Sequence, residues 1–223
     1  SAPIDLLGKK KSPCLIYNHG GNRSYGALKN VETTYYAYQF HTICVASNYR
    51  GCGKSEGTDA FGGDDVHDVI HLLDLCEKLD SVDTKNINML GVSRGGMMTY
   101  ETLREDRRIH KAVVVAGVAD CTMNYEERED MRSLLTELIG GTPEQLPEEY
   151  SRRSAVEWAD EINTPLLIFH TTGDDKVSIK QADKLVKQLK KYQKDYEYVT
   201  FESNIHGDLR KTDVEKIRKW LQT

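Results

Sequence analysis

Ser93 stands where a nucleophile would be made. The apolar run Ile87-Asn88-Met89-Leu90 leads straight into Gly91-Val92-Ser93-Arg94-Gly95, and Met97 to Arg104 follows with helix-compatible residues. A strand, a tight turn and a helix in that order force the central serine outward with its hydroxyl free to attack a carbonyl carbon. Gly91 and Gly95 leave no side chain where strand and helix must pass close together.

A serine hydroxyl needs a base. Of the seven histidines, His67 and His71 lie four apart on one polar helical face with Asp64 and Asp68, a spacing for a solvated face before a metal site. His41 and His110 precede apolar strands, His19 reads as structural, and His170 ends the apolar run Pro165 to Phe169, where it either faces the site or packs. His206 differs: it follows a strand-like run, Tyr196 to Phe201, and the polar turn Glu202-Ser203-Asn204, and it precedes Gly207 and the last helix. A loop tip after the final strand is a place to present a base.

With a nucleophile on such a turn, the orienting carboxylate precedes the histidine in the chain. His170-Thr171-Thr172-Gly173-Asp174-Asp175-Lys176-Val177 is the loop leaving the strand Thr164 to Phe169. Asp174 is expected to hold the His206 tautomer, and Asp175 to make the turn or cap the helix starting near Ser178. The early strand Pro13 to Asn18 runs into His19-Gly20-Gly21-Asn22. The backbone N–H groups of Gly21 and Arg94 are therefore the expected oxyanion donors, each worth about a hundred- to a thousand-fold in rate.

These residues need a scaffold that gathers distant loops on one edge. Strand-like runs fall near Cys14–Asn18, Thr42–Asn48, Ile87–Leu90, Ala112–Ala116, Pro165–Phe169 and Tyr196–Phe201, and their continuous apolar character suits parallel strands covered on both faces. Asp65 to Leu79 puts Val66, Val69, Ile70, Leu73 and Cys76 on one stripe, and the last helix does the same with Val214, Ile217 and Leu221. The pattern predicts an α/β domain, a doubly wound, mainly parallel sheet with helices on both faces and its ligand site at the strands' carboxyl ends.

From Cys121 to Glu161 the alternation stops. Met131, Leu134, Leu135, Leu138 and Ile139 keep helical spacing, and Pro143 and Pro147 break the run. Residues 121–161 are expected to be a helical cap inserted into a single domain of residues 1–223. Most of its apolar stripe should pack on the core, and a minority, with Met97, Met98, Met123 or Tyr125, would line a substrate pocket.

The chain resembles the α/β-hydrolase superfamily and, within it, the catalytic domain of the prolyl oligopeptidase family, from about Pro13 to the C-terminus. The resemblance is carried by His19-Gly20-Gly21; Asn48-Tyr49-Arg50-Gly51-x-Gly53; Phe61-Gly62-Gly63-Asp64-Asp65-Val66-x-Asp68-Val69; Gly91-x-Ser93-Arg94-Gly95-Gly96; and Asp174-x-x-Val177. Gly140-Gly141-Thr142-Pro143-Glu144 through Tyr150, then Arg153-Ser154, adds to it. The family implies an acyl-enzyme mechanism with its triad matched to Ser93, Asp174 and His206. Full-length oligopeptidases carry a β-propeller before this domain, for which the present sequence has no segment. Hydrolases of this fold have two further strands before the one ending at His19, of which Ile4 to Leu7 is at most a remnant. The unpaired sheet edge left behind would invite a homodimer.

Composition sets outer bounds. A chain of 223 residues supports one substantial core. A net charge of -5 makes no electrostatic case for nucleic acid or an anionic membrane, and the short run Lys9-Lys10-Lys11 does not change that. No apolar run approaches the roughly 20 residues of a membrane span. Five scattered cysteines, Cys14, Cys44, Cys52, Cys76 and Cys121, read as reduced buried thiols in a cytoplasmic protein. The chain starts at Ser1, so a signal peptide or a whole domain upstream is compatible with it. Gly53-Lys54-Ser55 lacks the glycine that a phosphate-binding loop needs at Asn48, the glycines around Cys52 miss a dinucleotide fingerprint, and Asn22-Arg23-Ser24 is a chance glycosylation match.

The expectation is a serine hydrolase using no cofactor and no metal. Small carboxylic esters come first as substrates, because no propeller restricts the site; short peptides or acylaminoacyl substrates come second. A non-catalytic binding protein on the same fold is the alternative of another class.

Overall fold

The computed structural model describes residues 1–6, 8 and 11–223. Among the described residues six parallel strands form one sheet: β1 (Ser12–Asn18), β2 (Ile43–Val45), β3 (Val82–Val92), β4 (Ala112–Val115), β5 (Leu166–Thr171) and β6 (Tyr196–Phe201). Their spatial order is β2-β1-β3-β4-β5-β6, so the chain builds outward from the centre in both directions.

Alternation along the strands splits the core into two layers. Cys14 and Ile16 of β1, Met89 of β3 and Ile168 of β5 face α2 (Val66–Glu77), α3 (Arg94–Glu105) and α7 (Ile179–Lys191). Leu15 and Tyr17, Leu90, and Leu167 and Phe169 face α1 (Asn30–Phe40) and α8 (Lys211–Gln222). The fold is α/β, helices covering both faces of a parallel sheet. Of the expected α2 stripe, Val66, Val69, Leu73 and Cys76 are buried and Ile70 is half-buried.

The sheet differs from the sequence reading in detail. β2, at the edge of the sheet beside β1, keeps only three residues of the Thr42–Asn48 run. β3 is longer than expected: Ser12 pairs with Val82 before a register shift brings Cys14 opposite Ile87. Ile4–Leu6 forms a 3₁₀ turn in place of a strand, and Leu7, Lys9 and Lys10 lie outside the described residues. The outer edge of β2 is partly met: the Ser1 amine donates to the Cys44 carbonyl at 2.9 Å, and the Cys44 N–H donates to the Ser1 carbonyl at 2.8 Å.

Residues 121–161 contain α4 (Cys121–Glu127), α5 (Glu129–Ile139), α6 (Pro147–Arg152) and a 3₁₀ turn, Ala159–Glu161. Leu135 and Ile139 bury against Val118, Tyr150, Phe61 and Val177 in a third, smaller cluster beside the carboxyl ends of the strands. Among the described residues no helix is long and apolar enough to cross a membrane. All five cysteines are free and buried.

Candidate active site

Ser93 leaves β3 at φ 59° and ψ −123°, outside the angles an L-residue prefers, and caps the N-terminus of α3. The turn is over-determined. The Ser93 N–H donates to the Val115 carbonyl at 3.0 Å, and the Ser93 carbonyl accepts the Gly96 and Val118 N–H groups. Close approach explains the flanking glycines. A Cβ on Gly95 would sit 2.0 Å from the Asn18 carbonyl oxygen, and one on Gly91 would sit 2.1 Å from the Gly95 carbonyl oxygen.

Asp174 follows β5 and His206 follows β6, and the two strands are neighbours. The His206 Nδ1–H donates to the Asp174 carboxylate at 2.7 Å to Oδ2 and 3.0 Å to Oδ1. Asp174 Oδ1 also accepts the backbone N–H groups of Lys176 (2.9 Å) and Val177 (3.0 Å). Burial alone would raise the Asp174 pKa, but His206 and these backbone donors outweigh it and hold the carboxyl below the usual carboxylate range. The turn expected of Asp175 is thus made by Asp174, and Ser178 caps α7 by accepting the Lys180 N–H. Asp175 is exposed and pairs with Lys176 at 3.4 Å.

Ser93 and His206 open on one cavity of about 440 Å³. Gly21 and Arg94 belong to its wall, so the four groups expected to act together share one rim. Phe61, Val118, Met131 and Val177 form an apolar side, and Asn124, Arg128, Asp130 and Lys176 a polar one. Of the pocket residues expected from sequence, Met131 is there. Met97 and Met98 are fully buried in the core, Met123 lines a separate depression, and Tyr125 packs edge-on against Tyr150.

Three further side chains near the site had roles that the sequence left open or did not give. His170 is buried with its Nε2–H donated to the Val177 carbonyl at 2.8 Å, and that nitrogen lies 3.6 Å from Asp174. Burial lowers its pKa, so it packs as a neutral ring behind the carboxylate. Arg128, between α4 and α5, grips Asp130 with two nitrogens and donates a third hydrogen bond to the Lys176 carbonyl at 2.7 Å. The Arg94 side chain, expected only to supply a backbone N–H, is buried in an ion cluster with Asp59 and Asp65. His170 thus packs, one of the two alternatives its place at the end of an apolar strand left open, whereas Arg128 and the Arg94 side chain carry no periodic signal and were not legible.

A parallel sheet with a strained serine between its central strand and the next helix is the architecture of an α/β hydrolase. Within that class the sequence pattern of the prolyl oligopeptidase family matches residues 30–223, and the chain belongs to that family; it is a hydrolase. It is 31% identical over 211 residues to "Uncharacterized peptidase YtmA" of Bacillus subtilis, a match that spans 93% of this chain and 82% of that protein. It is 28% identical to "Uncharacterized peptidase YuxL" of the same organism, spanning 92% of this chain but only 32% of the relative. Among solved structures, the acylaminoacyl peptidase of Pyrococcus horikoshii superposes with a TM-score of 0.79 at 22% identity, over 99% of this chain and 37% of that one. A puromycin-hydrolyzing peptidase of Mycobacterium tuberculosis gives 0.80 at 22% identity, over 96% and 33%. The chain thus spans about a third of these longer proteins, and at that identity the structural likeness speaks to the fold. The relatives are named peptidases, which favours the peptide reading over the ester reading that the sequence put first.

Proposed function

We propose that this chain is a serine peptidase that cleaves short or N-acylated peptides through an acyl-enzyme. The observation that carries the reading is that His206, hydrogen-bonded to Asp174 at 2.7 Å, opens on the same cavity as the strained Ser93. Ser93 Oγ attacks the scissile carbonyl while His206 Nε2 takes its proton. Asp174 keeps the Nδ1–H tautomer and stabilises the imidazolium without being protonated. The backbone N–H groups of Gly21 and Arg94 receive the oxyanion. His206 then protonates the leaving amine, and water releases the acyl group by the same path in reverse. The apolar side formed by Phe61, Val118, Met131 and Val177 suits a side chain next to the scissile bond, and the names of the relatives support an amide over an ester. Residues 121–161 act as the cap, through Asn124, Arg128 and Met131. Five free, buried thiols fit a reducing compartment.

The test is a panel of aminoacyl and N-acylaminoacyl 4-nitroanilides run beside 4-nitrophenyl esters. Amide hydrolysis that disappears in Ser93→Ala is expected. Ester hydrolysis alone would return the enzyme to the esterase reading, and inertness toward both would remove the catalytic reading.

A further inference from the structure

Among the described residues Arg94 is the largest fully buried side chain, at 1% exposure, and it is charged. Its guanidinium forks onto Asp59 (Nη2–Oδ1 2.7 Å, Nη1–Oδ2 3.0 Å), donates to Asp65 Oδ2 at 2.7 Å, and reaches the Gly21 carbonyl at 3.3 Å. The rings of Tyr49 and Phe61 lie against it, each 4.9 Å from the guanidinium carbon. A buried cation of this kind costs several kcal/mol in desolvation unless its partners are well placed. Here every partner belongs to a loop at the site.

Two of these partners, Asp59 and Tyr49, also hold residues 19–23. Asp59 Oδ2 accepts the Arg23 N–H at 2.9 Å, and Tyr49 donates its hydroxyl to the His19 carbonyl at 2.9 Å. The Asn22 N–H is held by the Tyr25 carbonyl. His19 is a neutral buried ring whose pKa burial lowers, with the Arg94 charge adding to the effect. Its Nδ1–H donates to the Gly20 carbonyl at 2.7 Å. In a trans peptide the carbonyl and the next N–H point in opposite directions, so fixing the Gly20 carbonyl to His19 turns the Gly21 N–H away from that ring. Gly21 itself lines the cavity.

We propose that the Arg94 side chain is a positioning residue for oxyanion stabilisation. One residue gives its backbone N–H to the oxyanion and, through its guanidinium, ties down the loop that gives the other. The separation of the two donors is thereby set by a single buried fork. A Lys cannot reproduce it, since an ammonium cannot bridge two carboxylates and a carbonyl in one plane. The inference rests on the acyl-transfer reading above.

The experiment compares Arg94→Lys and Asp59→Asn with the parent on one amide substrate, with thermal melts to establish folding. Four quantities are read: kcat, KM, inhibition by a peptide trifluoromethyl ketone, whose tetrahedral adduct needs the oxyanion donors, and competitive binding of a peptide acid product. The clamp predicts kcat lowered about 10- to 100-fold, within the worth of one oxyanion donor, with KM nearly unchanged. The ketone should weaken by the same factor as kcat/KM, and product binding should stay at the parent value. Asp59→Asn carries the same comparison if Arg94→Lys does not fold. Parent-like kcat and ketone affinity in a folded variant overturn the clamp, as does an equal loss of ketone and product binding, which marks general damage. Absence of Ser93-dependent turnover in the parent refutes the underlying mechanism instead.

Discussion

One carboxylate, that of Asp174, takes the His206 Nδ1–H at 2.7 Å while accepting two backbone N–H groups from its own turn. Asp174→Asn can keep the turn through its remaining oxygen, but its amide would oppose the His206 N–H and favour the other tautomer. The expected result is kcat lowered about 10³- to 10⁴-fold with a small change in KM. Steady-state kinetics checks it, and a loss below tenfold counts against an orienting role.

The same pair sets a pH expectation. The folded-state pKa of Asp174 lies below the usual value of about 3.8. Its stabilising contribution is therefore complete above that value and lost only as pH falls through the lower, folded pKa. Melting temperature below pH 4 should fall more steeply for the parent than for Asp174→Asn.

Glu101 in α3 works in the opposite sense. Burial pushes its pKa up to about 8, against the opposing pull of the Gly63 N–H and Arg153. The folded chain holds a proton that the unfolded chain releases between about 4.5 and about 8, so this group costs stability as pH rises through that window. Glu101→Gln can retain the bond from Gly63 and should melt higher than the parent at pH 8 and alike at pH 4. Parallel melting curves across the window would contradict the burial argument.

Gly95 admits no methyl group. An added Cβ would lie 2.0 Å from the Asn18 carbonyl oxygen and 2.8 Å from that of His19, both backbone atoms that cannot swing aside. Gly95→Ala should destabilise by at least ~1–3 kcal/mol and displace Ser93. Denaturant melts and kcat measured together test it; a stable, active variant would show the elbow to be looser than drawn.

Arg128 joins the α4–α5 helices to the loop that carries Asp174, through the Lys176 carbonyl. Arg128→Ala should loosen that wall of the cavity and raise KM about tenfold, the worth of one charge-assisted bond of ~1.5 kcal/mol, with kcat less affected. The KM-to-kcat split decides it.

Much of this was readable from residues. The six apolar runs became the six strands, because hydrophobic continuity is what a sheet covered on both faces demands. Their ends were less legible. β3 starts at Val82, five residues early, through Val82-Asp83-Thr84-Lys85-Asn86, whose polarity looks like a loop and whose pairing is fixed only by Ser12 opposite. Ser93, Asp174 and His206 stood out as candidates because each follows a strand or is flanked by glycines, and the structure brings Ser93 and His206 to one cavity with Asp174 hydrogen-bonded to His206. The ion cluster was not legible, because Arg94 opens α3 while Asp59 and Asp65 belong to the segment between β2 and α2, and a long-range cluster leaves no period in the sequence. The substrate class was not legible: the residues put esters first, and the names of the relatives favour the peptide alternative.

The central claim is that Ser93 is the nucleophile and His206 its base. Intact-mass and peptide-mapping measurement after incubation with a fluorophosphonate tests it most directly. The prediction is one adduct per chain, on the peptide bearing Ser93, absent in Ser93→Ala and formed far more slowly in His206→Ala. An adduct on another residue, or parent-like labelling of either variant, contradicts it.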